Sequence, residues 1–122
     1  MLYTLLIYQA EEEVEALSAA EEEAALAEHR KLHEVTRGNG TFVAASRLVP
    51  TGAATTVRRK DGEVRLIDGP FAETKEQLLG LYILDCDSLE EATGYAKMLP
   101  SVPTGCIEVR PIMYMSDPPE KR

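Results

Sequence analysis

Two short polar signals, each following an apolar run, limit what this chain can fold into. Ser18 with Glu21 and Ser88 with Glu91 have the spacing of a capping box. In that device the serine hydroxyl accepts a backbone N–H of the first turn and the glutamate reaches back to the cap. The first signal follows Leu2 to Gln9 (LYTLLIYQ), a run without clean polar alternation that suits a central strand covered on both faces, and then an acidic connection from Gln9 to Leu17. The second follows Leu79 to Asp85, another apolar strand. The first helix is expected to run from Ser18 to about Thr36, with Ala25, His29, Leu32 and Thr36 (and Val35) as its inner stripe. Arg37-Gly38-Asn39-Gly40 suits its C-terminus. The second helix is expected to reach about Leu99, with Leu89, Ala92, Ala96 and Leu99 on one face, and Pro100 stops it.

Between these units, Thr41 to Leu48 predicts a second strand. Ala54 to Arg59 and Glu63 to Ile67 then flank Lys60-Asp61-Gly62, a hairpin signal. Cys106 to Ile112 predicts the last strand, and Ser116 to Arg122 a loose tail, leaving residues 1–115 as one α+β domain. The order strand, helix, strand, inserted hairpin, strand, helix, strand is the ferredoxin-like βαββαβ plan with one insertion. Right-handed crossovers place both helices on one face of its antiparallel sheet. Leu79, Leu81 and Ile83 alternate with Gly80, Tyr82 and Leu84, so neither face of that strand is polar. A second copy is the simplest cover for the face the helices leave bare, which predicts a homodimer built sheet to sheet, with charged and hydroxylated side chains enclosed in the gap.

A net charge of −8 over 122 residues disfavours nucleic acid and anionic lipid as partners, since the only compact basic cluster is Arg58-Arg59-Lys60. Glu11-Glu12-Glu13 and Glu21-Glu22-Glu23 supply much of the acidity, most simply as a solvated face. No apolar run approaches the roughly 20 residues of a membrane helix. With no secretory signal pattern, the expected location is the cytoplasm. Cys86 and Cys106 lack CxxC or metal-ligand spacing and are expected as free thiols.

The most informative stretch is Ile67 to Leu84, which opens on an Asp68-Gly69-Pro70 turn, places Phe71, and continues through Glu73-Thr74-Lys75-Glu76 into a strand. DGPFAETKEQLLGLYILD, from Asp68 to Asp85, closely resembles the signature of the DGPF-type proteins of the YCII-related family. ATTVRRKDGEV at Ala54 to Val64, EVRPIM at Glu108 to Met113 and the tyrosine-rich first strand extend the resemblance over nearly the whole chain. Leu79-Gly80 departs from it, standing where relatives usually have a Gly-Gly pair. The resemblance implies a bacterial, cytoplasmic, dimeric α+β barrel without a firmly assigned activity. It also implies a proposed catalytic pair, a first-helix histidine with a later aspartate. His29-Arg30-Lys31-Leu32 fits the first member and Asp68 the second. Relatives of this type are often encoded beside alternative sigma factors, which suggests a regulatory context.

The residues themselves leave alternatives open. His29 is either a general acid or base raised by a neighbouring carboxylate or a satisfied histidine at the core edge. His29 and His33 are one turn apart, the spacing of zinc helices, but no third ligand is evident and no metal is expected. Asp68 either braces its turn or performs chemistry, and Phe71 is most simply a core plug. Lys75, with Glu73 or Glu76, either serves an anionic substrate or forms a solvated cluster. Glu108 and Arg110 share one side of the last strand and need a partner or a ligand. Tyr3, Tyr8 and Tyr82 are either packing or pocket walls. There is no phosphate loop, dinucleotide glycine fingerprint or nucleophile elbow. The expectation is a pocket with His29 and Asp68 as the catalytic pair and Lys75, Tyr82, Glu108 and Arg110 binding a small polar molecule. It would serve cofactor-independent isomerase or lyase chemistry, with a non-catalytic ligand-binding or protein-interaction module as the alternative.

Overall fold

The structure, a computed structural model, describes residues 1–100 and 105–120. Its elements are β1 (Leu2–Gln9), α1 (Glu11–Glu15), α2 (Ala19–Gly38), β2 (Phe42–Arg47), a 3-10 turn (Thr51–Ala53), β3 (Thr55–Lys60), β4 (Glu63–Asp68), β5 (Gln77–Asp85), α3 (Leu89–Ala96) and β6 (Cys106–Pro111). Strands β2, β5, β1 and β6, in that order, form one antiparallel sheet, and β3 pairs with β4 in a separate two-stranded sheet. Residues 116–120 carry no helix or strand, and the last two residues of the expected tail lie outside the described residues.

The helices begin where their caps place them. Ser18 Oγ accepts the Glu21 N–H at 3.1 Å and the Glu21 carboxylate accepts the Ser18 N–H at 3.0 Å, completing the reciprocal box. At α3 the box is displaced: Ser88 Oγ caps Glu91, but the Glu91 carboxylate reaches one residue further back, to the Asp87 N–H at 2.8 Å. Helix α2 runs two residues beyond the expected end. Its cap Asn39 accepts the Thr41 N–H through Oδ1 and donates through Nδ2 to the Tyr95 hydroxyl, tying α2 to α3. The acidic connection is partly helical, with Glu11, Glu12 and Glu13 in the first turn of α1, where the helix dipole favours them.

One core holds the sheet and both longer helices together. Tyr3, Leu5 and Ile7 of β1, Tyr82 and Leu84 of β5, Leu32 of α2, and Ala92 and Leu99 at α3 are buried in a single cluster with Cys86. Leu5 pairs with Tyr82 on one side and Val109 on the other, so these residues line one face of the sheet. The opposite face carries Thr4, Leu6, Leu81 and Ile83, half-exposed and outside that core, with Glu108 opposite Leu6 and Arg110 opposite Thr4.

The hairpin turns as its sequence dictates. Asp61 and Gly62 both have positive φ (52° and 80°), the conformation of a type I′ turn. Two expectations need correction. Phe71 is no core plug: it is 75% exposed, because the loop after Gly69 runs outside the sheet. Leu89 is also exposed, since it opens α3 a full turn before Ala92 reaches the core.

Candidate functional site

His29 and His33 lie one turn apart on α2, so their rings leave the helix on the same side, and both meet Tyr82 of β5. His29 Nδ1 is 2.8 Å from the Tyr82 hydroxyl, and the two rings are stacked nearly parallel, 5.9 Å between centroids. The His33 ring lies 5.3 Å from Tyr82 and 5.1 Å from Phe42, and the Arg37 guanidinium lies over the Phe42 ring, 4.1 Å from its centroid.

Beside this pair is a cavity of about 330 Å³. Ile7, Gly80 and Tyr82 form its floor, Leu26, His29 and His33 of α2 one wall, Val14 and Leu17 of the α1 region another, and Ala45 and Arg47 of β2 the far edge. Most of this lining is apolar, with a few convergent polar groups, the usual character of a small-molecule site. Helix α1 is fastened over it through Glu11. That carboxylate accepts the Thr51 N–H at 2.7 Å and the Thr51 hydroxyl at 2.5 Å, while the Glu11 N–H donates to Gln77 Oε1 at 2.8 Å.

Two irregularities in the sheet shape the cavity. In β2 the register shifts between Phe42 and Ala44, so Ala45 and Arg47 follow Phe42 onto the helix-covered face, opposite Tyr82 and Gly80. In β5 the shift beside Ile7 leaves Leu79 unpaired with β1, and Leu79 lines the cavity. Gly80 is required there. A Cβ at this position would fall on the Ser46 carbonyl oxygen and 3.2 Å from Arg47 Cα, so only glycine lets β2 come this close.

The electrostatics run opposite to a carboxylate–histidine pair. Burial, then the charges of His33 and Arg47, lower the His29 pKa below its ordinary value. His33 is lowered by burial and by Arg37. Burial pushes the Tyr82 phenol up to about 12. At neutral pH the pair is thus a neutral imidazole hydrogen-bonded to a protonated phenol. Among the described residues no carboxylate lies within ion-pair distance of Arg47.

Of the residues expected to form the pocket, His29 and Tyr82 come together here and the others lie elsewhere. Asp68 is exposed at the end of β4, in the separate sheet. Its turn is braced by the Gly69 N–H, which donates to the Ala54 carbonyl at 2.7 Å. Lys75 is exposed and takes no part in the lining. Glu108 and Arg110 lie 4.0 Å apart on the face away from the helices, both largely exposed. This cavity lies between the helices and the sheet of one chain. Arg47, Leu79 and the α1 lid are its additional parts. No three His, Cys, Asp or Glu side chains group into a metal site among the described residues.

The YCII-related domain model matches residues 1–116. The chain belongs to the YCII-related family. An uncharacterised protein of Rhizobium meliloti (strain 1021) is 44% identical to it over 114 residues, covering 92% of each chain. That YCII-related relative brings no activity with it, so the chemistry has to be argued from the site. Among the described residues, no helix of this YCII-related chain is long and apolar enough to cross a membrane.

Proposed function

We propose that this YCII-related protein is a cofactor-independent acid–base enzyme acting on a small polar molecule, with isomerase- or lyase-type proton transfer in the α2–β5 cavity. The observation that carries this reading is the 2.8 Å contact between His29 Nδ1 and the Tyr82 hydroxyl at the wall of an apolar cavity. Tyr82, held protonated, is too weak an acid to wait as phenolate, and His29, held neutral, is a competent acceptor. The pair works as a relay. A substrate proton passes to the Tyr82 oxygen while the phenol proton passes to His29 Nδ1, leaving an imidazolium and a substrate anion. The reverse transfer returns the proton to a different atom.

The polypeptide is further proposed to be a ferredoxin-like α+β barrel completed by a second copy. Leu6, Leu81 and Ile83 on the open face supply apolar area, and Glu108 and Arg110 a charged rim. A second reading, an interaction module in bacterial regulation, is favoured by one observation. Val57 and Leu66, paired across the hairpin, are 65% and 74% exposed, and Phe71 lies out in solvent.

The enzyme reading is tested by deuterium incorporation from D2O into pyruvate and acetone, followed by proton NMR. Exchange above the buffer rate in the wild type, lost in His29→Gln and in Tyr82→Phe, is the expected result. Exchange no faster than buffer for both compounds, or exchange indifferent to both substitutions, overturns it.

A further inference from the structure

Among the described residues, the cavity cation Arg47 has no carboxylate within ion-pair distance. Arg47 reaches it because the β2 register shift turns this residue to the helix side and because Gly80, opposite, leaves the space a side chain would fill. Its charge is felt at His29, yet no carboxylate is within ion-pair distance among the described residues. Glu11 lies outside the cavity lining, in a smaller adjoining pocket that Arg47 also lines, and is already engaged by Thr51. We infer that the site takes a small organic monocarboxylate, whose carboxylate is held by the Arg47 guanidinium while its hydrocarbon body lies against Leu26, Leu79 and Val14. This deepens the acid–base reading and rests on it for the role of the bound molecule.

Three features select this class. A guanidinium offers two parallel N–H donors that match a carboxylate, a pairing stronger than neutral hydrogen bonds. With both histidines held neutral, Arg47 is the one full positive charge on the cavity wall among the described residues, and Glu22 on the same wall opposes a second negative charge. A dianion such as a phosphomonoester would therefore be left with uncompensated charge. The remaining lining is apolar, so a hydrocarbon body displaces water at a gain rather than a cost. A carboxylate at Arg47 also offsets the cation that lowers His29, so binding raises the basicity of the group that accepts the proton.

The test compares benzoate with benzamide, its uncharged counterpart of nearly the same shape, by NMR titration of wild type, Arg47→Met and Arg47→Lys. The wild type is expected to bind benzoate at least about tenfold more tightly than benzamide. Arg47→Met removes the preference and Arg47→Lys keeps part of it. Bound benzoate raises the His29 pKa in the wild type and leaves it unmoved in Arg47→Met. Equal binding of the two compounds, no binding of either, or a preference that survives Arg47→Met overturns the proposal. Its failure is separable from that of the relay. Deuterium exchange into acetone as fast as into pyruvate sinks the carboxylate site alone. Benzoate selectivity without any exchange sinks the relay alone.

Discussion

The Tyr82 hydroxyl and His29 Nδ1 stand 2.8 Å apart, one from the central strand β5 and the other from the helix above it. Because burial holds the phenol protonated, its O–H needs an acceptor, and among the described residues Nδ1 is the one in reach. Neutral His29 therefore carries its own proton on Nε2. Long-range proton–nitrogen NMR spectra are expected to show this tautomer in the wild type and a mixture in Tyr82→Phe. The same substitution is expected to lower stability by about 0.5–1.5 kcal/mol, the range for one lost hydrogen bond. A wild-type spectrum with the proton on Nδ1 contradicts the assignment.

Stability should follow pH on both sides of neutrality. His29 and His33 titrate below their ordinary value of 6.5 in the folded chain, so on acidification the unfolded chain binds protons first. Their contribution is complete above about pH 6.5 and is lost as pH falls toward the folded values. Tyr82 acts in the other direction. The unfolded chain gives up its proton near 10.0 and the folded chain near 12, so stability falls again above about pH 10. Urea midpoints between about pH 5 and 8 should decline on the acid side for the wild type and decline less for His29→Gln.

Gly80→Ala should act through the backbone. The added methyl meets the Ser46 carbonyl oxygen, which belongs to the neighbouring strand and cannot swing away. The expected cost is about 1–3 kcal/mol in denaturant unfolding, the usual range for overpacking. Loss of benzoate binding should accompany it, because β2 carries Arg47 away with it. An unchanged midpoint would show that β2 has room to move.

How much of this was legible in the chain depends on whether a local rule governed the residue. Ser18 and Glu21 form the box their spacing announces, and Asp61-Gly62 turns with both φ positive, because both devices are closed within a few residues. Of the expected stripe, Leu32 and Thr36 are buried and Ala25 and His29 half-buried as the helical period requires, whereas Val35 is exposed. Arg47 was hidden by the register shift after Phe42. Simple alternation along β2 groups Phe42 with Ala44 and Ser46, whereas the shifted strand turns Ala45 and Arg47, both still exposed, to the helix side. Glu11 was hidden in an acidic block whose other members are unremarkable surface, and only the fold brings Thr51 to it. Phe71 misleads because an aromatic ring in a specific motif suggests burial, and nothing local tells that its loop leaves the core.

The open face of the sheet gives a separate test. If a second copy covers Leu6, Leu81 and Ile83, Leu81→Lys should convert a dimer into a folded monomer, because a buried charge with no partner opposes association strongly. Sedimentation equilibrium together with circular dichroism reads both properties. A wild-type monomer, or an unaltered dimer in Leu81→Lys, contradicts assembly through this face.

The most direct measure of the proton relay is the pH dependence of deuterium exchange into pyruvate, recorded for wild type, His33→Gln and His29→Gln. The wild-type rate is expected to rise with pH through one inflection below 6.5, where His29 becomes neutral. His33→Gln should keep a similar profile with the inflection moved up, and His29→Gln should show no enzymatic rate. A wild-type profile without that inflection, or one unchanged by His29→Gln, would contradict the relay.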